Sequence, residues 1–212
     1  MSGRAAHRLP GALLAAFAFA ALAELVSVAV DARTGQLLAK PLLMPLLAAY
    51  VAARRGPRLL VAALLLGWGG DVFLLSSADG AFLAGMGCFA AGHLCYLVLF
   101  GRRRTHTGLA LGYGLALVVA LALLWSGLPA ELRVPVAVYS LLLAAMACRA
   151  SALGPLAGAG GALFLLSDTL IATGVAEAPQ PPAAGLWIML TYIAAQALLT
   201  AGILRSRPRT HD

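Results

Sequence analysis

Charged residues are scarce in this sequence, which excludes most soluble proteins. Of its 212 residues only 11% are charged and 62% are hydrophobic, and the mean hydropathy is +0.92. Soluble domains carry about 25% charged residues, so this composition is typical of an integral membrane protein. Cysteine is scarce as well. The three cysteines, Cys88, Cys95 and Cys148, are odd in number, which argues against a disulfide framework and predicts buried free thiols.

Long polar segments are also lacking, which leaves no room for a soluble domain. Instead the chain holds eight apolar runs, each close to the length of about 20 residues that a helical span needs. Lipid accepts only helices or closed barrels, and these runs are too long and uniform for barrel strands. We therefore predict an all-α integral membrane protein, with a single transmembrane domain of eight helices over residues 1–212. The runs cover residues 10–30, 36–53, 59–77, 80–100, 107–127, 131–149, 155–175 and 184–204.

Basic residues gather at alternate connections between the runs, and the positive-inside rule then places both termini in the cytoplasm. The net charge of +7 follows from this topology and from contact with anionic lipid, and its scatter over separate loop ends argues against nucleic-acid binding. The predicted cytoplasmic group comprises Arg4, Arg8, Arg54, Arg55, Arg58, Arg102, Arg103, Arg104, Arg149, Arg205, Arg207 and Arg209. The opposite loops hold Arg33 and Arg133 with Asp31, Asp79, Glu131 and Glu177.

Several ionisable residues interrupt the apolar runs. A charged side chain in the membrane is costly, and by default it marks a functional site that faces the interior of the bundle. The alternative is that these groups pair with one another and only lock the bundle, but three carboxylates against one lysine leave a surplus of acid. The ionisable residues are Glu24, Lys40, Asp71, His93 and Asp168, and the runs add the polar residues Tyr139, Tyr192 and Gln196.

The depths of these residues predict one shared site. Asp71 lies twelve residues into the third run, roughly 18 Å from its start, and Asp168 lies thirteen residues into the seventh run, which has the same direction. Lys40 and Glu24 lie toward the outer face. The polar layer therefore occupies the middle and the outer half of the membrane. Two aspartates at matched depth, four runs apart, also hint at a parallel four-plus-four duplication.

Local spacing adds detail to this site. Pro41 and Pro45 remove two backbone donors from the second run and should bend it. In the fourth run, Phe89, His93 and Tyr96 share one helical face, because they lie four and three positions apart. Ser167 and Asp168 are neighbours in sequence and so point about 100° apart on a helix, which argues against a direct catalytic pair.

Four segments carry a resemblance to a known family. They are "KPLLMP" at 40–45, "GWGGDVFLL" at 67–75, "FAAGHLCYL" at 89–97 and "GALFLLSDTLIA" at 161–172. In this order they resemble the signature segments of the YhhN-like family of membrane proteins, which includes the lysoplasmalogenases. The resemblance implies hydrolysis of the vinyl-ether bond of a lysoplasmalogen, a lysophospholipid, to a fatty aldehyde and a glycerophospho-base.

The residues fit that chemistry. A vinyl ether is cleaved by acid: a proton is added to its β-carbon, an oxocarbenium ion forms, and water then adds. Two carboxyls could supply the acid and the stabilising anion, as in glycoside hydrolysis, so we expect Asp71 and Asp168 to be catalytic, with no metal or cofactor. Lys40 could pair with the ionised aspartate or bind the substrate phosphate. The expected substrate-binding residues are Lys40, His93, Tyr96, Glu24, Tyr139, Ser167, Tyr192 and Gln196.

Two alternatives to this function remain open at the level of the sequence. A metal-dependent amidase or esterase acting on another lipid would usually need three zinc ligands, often histidines, and His93 is the one histidine inside a run. A small-molecule or proton-coupled transporter would also bury aspartate and lysine. We expect a multi-pass protein of the cell membrane, and the sequence leaves its oligomeric state open.

Overall fold

A computed structural model describes residues 2–78 and 80–206, and the side chains of residues 8–78 and 80–206. Asp79, Arg207 and Arg209 therefore lie outside the described residues, as does the side chain of Arg4. The described part folds into eight α-helices without a strand, as predicted. The helices are α1 (Ser2–Ala29), α2 (Arg33–Ala53), α3 (Arg58–Leu74), α4 (Ala81–Phe100), α5 (Thr107–Leu124), α6 (Ala130–Ala150), α7 (Pro155–Val175) and α8 (Ala184–Arg205).

Seven helices are long and apolar enough to cross a membrane, which supports a multi-pass membrane protein. The exception is α3, whose 17 residues fall one short of an 18-residue span. The helix bounds agree with the predicted apolar runs to within a few residues, except that α1 begins earlier. Pro57 and Pro129 directly precede α3 and α6, and Pro155 begins α7, where a proline lacks only an N–H that the helix leaves unbonded.

The chain divides into two compact units, residues 1–99 and 100–212. In the first, α2 packs against both α1 and α3. Glycines of α4 bring it onto α3: a Cβ added at Gly92 would lie 3.2 Å from the carbonyl oxygen of Ala63, and one at Gly85 would lie 3.2 Å from that of Gly70. Lipid tails are as apolar as the helix surfaces, so the hydrophobic effect does not drive helices together in a membrane. Close approach of the backbones is therefore their main means of association.

In the second unit, α6 packs between α5 and α7, and α7 packs against α8. The α7–α8 contact also relies on glycine, because a Cβ at Gly160 would lie 2.8 Å from the backbone nitrogen of Leu199. A Cβ at Gly202 would lie 2.7 Å from that of Ala157. As a result α8 is the most buried of the seven helices that are long enough to cross a membrane. In an apolar stretch of 18 residues, 56% of the residues of α8 are buried, compared with 6% for α5.

Candidate active site

Asp71 lies near the end of α3 and is almost fully buried, with 2% of its surface exposed. The preceding glycine makes room for this packing: a Cβ at Gly70 would lie 2.5 Å from the ring of Phe89 on α4, so a larger residue would displace the ring. The "GWGG" segment thus lets an aromatic ring of α4 lie directly against the backbone beside Asp71. The carboxyl is shielded from the surface by packing, and the local sequence explains how.

The aromatic and histidine side chains that share a face of α4 are buried in the first unit. Phe89, His93 and Tyr96 are 8%, 1% and 1% exposed, as their common helical face predicts. Together with Asp71 they give the first unit buried polar groups from two packed helices. Whether His93 and Tyr96 bind substrate stays a prediction.

Glu24 and Lys40 form a second polar pair in the first unit. Glu24 on α1 is 1% exposed, and its Oε2 atom accepts no hydrogen bond. Lys40 on α2 is near enough for attraction between the two charges and for a hydrogen bond from its backbone. Lys40 is the only lysine of the sequence and remains partly exposed. Its ammonium group therefore has an acidic neighbour in Glu24 while part of the side chain stays accessible.

Asp168 lies on α7 and is held from α6. The hydroxyl of Tyr139 donates a hydrogen bond to Asp168 Oδ2, and both residues are half-buried. Ser167, the preceding residue, is fully buried and donates instead to the carbonyl oxygen of Ile188 on α8, at 3.0 Å. The two neighbours therefore contact different helices, as their spacing on a helix requires, and Ser167 here joins α7 to α8.

Tyr192 and Gln196 complete the predicted residues of the second unit. They lie one turn apart on α8 and are 4% and 1% exposed. The ring of Tyr192 meets that of Phe164 on α7 edge to face, with centroids 5.5 Å apart. This packing fixes the tyrosine ring against the helix that carries Asp168.

The two aspartates have equivalent positions in their helices. Each lies thirteen positions after the first residue of its helix, Arg58 in α3 and Pro155 in α7. At 1.5 Å per residue this is about 20 Å along each axis. Each is also carried by the third helix of its unit. The two aspartates therefore lie at the same distance from the starts of their helices, and their matched depth in the membrane stays a prediction.

Arg33 was not expected to contribute. Its side chain donates a 2.8 Å hydrogen bond to the carbonyl oxygen of Leu75, so the start of α2 holds the end of α3 just beyond Asp71. In the sequence, only the position of Arg33 in a connection with few basic residues could have indicated this hydrogen bond. The three cysteines are free, as predicted, but only Cys148 is buried, and Cys88 and Cys95 are partly exposed. Among the described residues no group of three His, Cys, Asp or Glu could hold a metal ion.

Comparison with known proteins now gives these features a family. The sequence profile of the YhhN family matches residues 35–203, which is most of the chain. The chain belongs to the YhhN family. The match runs from the start of α2 almost to the end of α8 and includes Lys40, Asp71, His93 and Asp168, whereas Glu24 precedes it. The family expected from the four sequence segments is thereby confirmed.

Several proteins of similar sequence have names that state an activity. Lysoplasmalogenase TMEM86B of Homo sapiens is 42% identical over 149 residues, which cover 70% of this chain and 65% of that protein. The Sus scrofa TMEM86B is 41% identical over 126 residues, 59% of this chain and 55% of the relative. Lysoplasmalogenase TMEM86A of Bos taurus is 34% identical over 158 residues, 68% and 64%. The chain thus spans 55–65% of the length of these relatives, which is less than two thirds. No solved structure matches it.

Proposed function

We propose that this YhhN-family protein is an intramembrane hydrolase that cleaves the vinyl-ether bond of lysoplasmalogens. The products would be a fatty aldehyde and a glycerophospho-base. The names of its relatives support the substrate class. The mechanism rests on one observation: two aspartates, Asp71 and Asp168, occupy the same position in the third helix of each unit. We further propose eight spans with both termini in the cytoplasm of a cell-membrane protein.

The reaction needs an acid and an anion. An acid donates a proton to the β-carbon of the vinyl ether, and the carbon attached to oxygen becomes an oxocarbenium ion. Water then adds to that carbon, and a carboxylate accepts a proton from the water molecule. The resulting hemiacetal collapses to the aldehyde and releases the glycerol hydroxyl.

The surroundings of the two aspartates suggest which role each takes. A hydrogen bond donated to a carboxylate stabilises its ionised form, so the Tyr139 hydroxyl favours Asp168 as the anion that steadies the cation and activates water. With Asp168 in that role, Asp71 is left as the proton donor of the pair.

Lys40 is proposed to bind the phosphate of the substrate. Its side chain is partly exposed, and it is the eighth of the 21 residues of α2, three positions before the middle of a helix that would cross from the outer face. Glu24 would hold the ammonium group of Lys40 in place when no substrate is bound. The head group would then enter from the extracytoplasmic side.

The deciding experiment measures hydrolysis by purified protein in detergent, where no gradient can drive a transporter. Lysoplasmalogen is compared with the ester lysolipid of the same head group and chain. We expect aldehyde from the vinyl ether and no fatty acid from the ester, and the same rate after treatment with a chelator. Loss of activity with EDTA that added metal restores would contradict this mechanism.

A reaction in heavy water then tests the proposed proton transfer. Protonation of the β-carbon places one deuterium on C2 of the aldehyde, and slow proton transfer also lowers the rate. Because aldehydes exchange C2 hydrogens by enolisation, authentic aldehyde is incubated in parallel. Product aldehyde with no more deuterium than this control would refute carbon protonation by an exchangeable acid.

A further inference from the structure

The second unit contains a cavity of about 160 Å³ between α5, α6 and α7. Eight of its ten lining residues are alanine, leucine or valine, so its surface offers a ligand almost no polar partner. One of the two hydroxyls, that of Thr169, already donates to the carbonyl oxygen of Leu165 in its own helix, at 2.7 Å. The lining residues include Ala120 of α5, Ser140 of α6, and Leu165 and Thr169 of α7.

The size of the cavity fits part of a hydrocarbon chain. An apolar cavity of about 150 Å³ stays dry in other proteins and takes up benzene, a molecule of about six carbons. This cavity therefore has room for a chain segment of similar length. It is too small and too apolar for a phosphate head group.

The cavity lies beside the hydrogen-bonded pair of Tyr139 and Asp168. Ser140 directly follows Tyr139 on α6, and Thr169 directly follows Asp168 on α7. Since one residue advances a helix by about 1.5 Å, the lining hydroxyls and the pair are at the same level, on adjoining faces of the same two helices. A chain in the cavity would thus end at the level of Asp168, whose side chain points about 100° around α7 from that of Thr169.

We propose that this cavity binds the first carbons of the hydrocarbon chain of a single-chain lipid, those that follow its vinyl-ether bond. The proposal rests on the proposed function and names the part of the substrate that the second unit holds. In a vinyl-ether lipid the reactive bond stands at the head of the chain. Seating the next carbons in the cavity would place that bond beside the Asp168 carboxylate. The rest of a longer chain would extend into lipid.

Chain-length dependence of hydrolysis tests this assignment. Each methylene group that enters an apolar site improves binding by about fourfold. We therefore expect kcat/KM of the wild type to rise steeply over about the first six chain carbons and then to level off. Ala120→Phe, which fills the cavity, should flatten this rise, and Ala120→Leu should flatten it in part.

The matched control is Ala122→Phe, because Ala122 lies on the same helix but is exposed and does not line the cavity. It should keep the wild-type profile. Equal flattening by Ala122→Phe, or an unchanged profile in both Ala120 variants, would overturn the proposal. The smaller Ala120→Leu change keeps the test available if the phenylalanine variant does not fold.

A binding measurement separates this proposal from the proposed function. A non-cleavable ether lysolipid with a photoreactive diazirine about six carbons along its chain is crosslinked to protein in nanodiscs. We expect labelling of α5, α6 and α7 that Ala120→Phe prevents. Such labelling without any vinyl-ether hydrolysis would contradict the proposed function and leave the cavity a lipid-chain site. Labelling elsewhere, or equal labelling by a two-chain phospholipid probe, would overturn the cavity assignment.

Discussion

Asp71 and Asp168 occupy the same position in their helices, yet their surroundings differ. Asp71 is 2% exposed, and an aromatic ring of α4 covers the glycine beside it. Asp168 is half-buried and accepts a hydrogen bond from Tyr139. One carboxyl is thus enclosed by packing and the other is oriented by a phenol. The hydrogen bond at Asp168 is the basis for the different roles that we propose for the two carboxyls.

The two units use glycine in the same way but to different ends. In the first, glycines let α4 lie against the end of α3 that carries Asp71. In the second, Gly160 and Gly202 bury α8 against α7 and leave α5 largely exposed. Four helices with an aspartate in the third are common to both units, so the predicted duplication stays a useful hypothesis. Its two copies would then have diverged in packing.

Asparagine substitutions should have the largest effect. Asp71→Asn and Asp168→Asn each remove a carboxyl with almost no change in volume, and general acid–base groups contribute about 100- to 10,000-fold to a rate. We expect losses of kcat in that range, measured on purified protein that elutes like the wild type. If either variant kept most of its activity, the two-carboxylate mechanism would be wrong.

Tyr139→Phe should have the next largest effect, because it removes the hydrogen bond from the Tyr139 hydroxyl to Asp168. A hydrogen bond to a charged group is worth about 1.5–3 kcal/mol, which corresponds to a loss of about 10- to 100-fold in kcat. Tyr50→Phe is the control, because within the described residues the Tyr50 hydroxyl takes part in a hydrogen bond from Arg54 and has none with Asp168. A loss from Tyr139→Phe that persists in full in the Asp168→Asn background would show that the tyrosine acts otherwise than through Asp168.

Gly70→Ala tests the packing that encloses Asp71. The added Cβ would meet the Phe89 ring at 2.5 Å, and overpacking typically costs about 1–3 kcal/mol. We expect a lower melting temperature in detergent, with partial rescue by Phe89→Leu in the same protein. Gly87→Ala is the matched control, since nothing lies within 4 Å of a Cβ there. Equal melting temperatures for the two alanine variants would contradict the proposed contact.

Most of the fold could be predicted because the membrane imposes it. Runs of about 20 apolar residues have to be helices in lipid, so the composition and the spacing of charges located all eight. The family could also be recognised, because short polar segments within those runs are uncommon. Pro41 and Pro45 were expected to bend the second run, and α2 includes both within one continuous helix.

The contacts of the candidate site could be predicted only in part. Helical spacing indicated that Ser167 and Asp168 would face different neighbours, and that Phe89, His93 and Tyr96 would be buried together. It could not indicate that Tyr139 would donate to Asp168, because that contact depends on how α6 packs against α7. The hydrogen bond from Arg33 to Leu75 could not be predicted for the same reason, because it joins residues 42 positions apart in the sequence.

Lys40→Met should have the smallest of these effects and the most specific pattern. Contact between the ammonium group and a phosphate exists in both the bound substrate and the transition state, so its loss raises KM and leaves kcat nearly unchanged. We expect KM to rise about tenfold, as for the loss of one charged hydrogen bond. Lys40→Arg keeps the charge and should recover most of the affinity. A fall in kcat at constant KM would instead place Lys40 in the chemical step, alongside the aspartates.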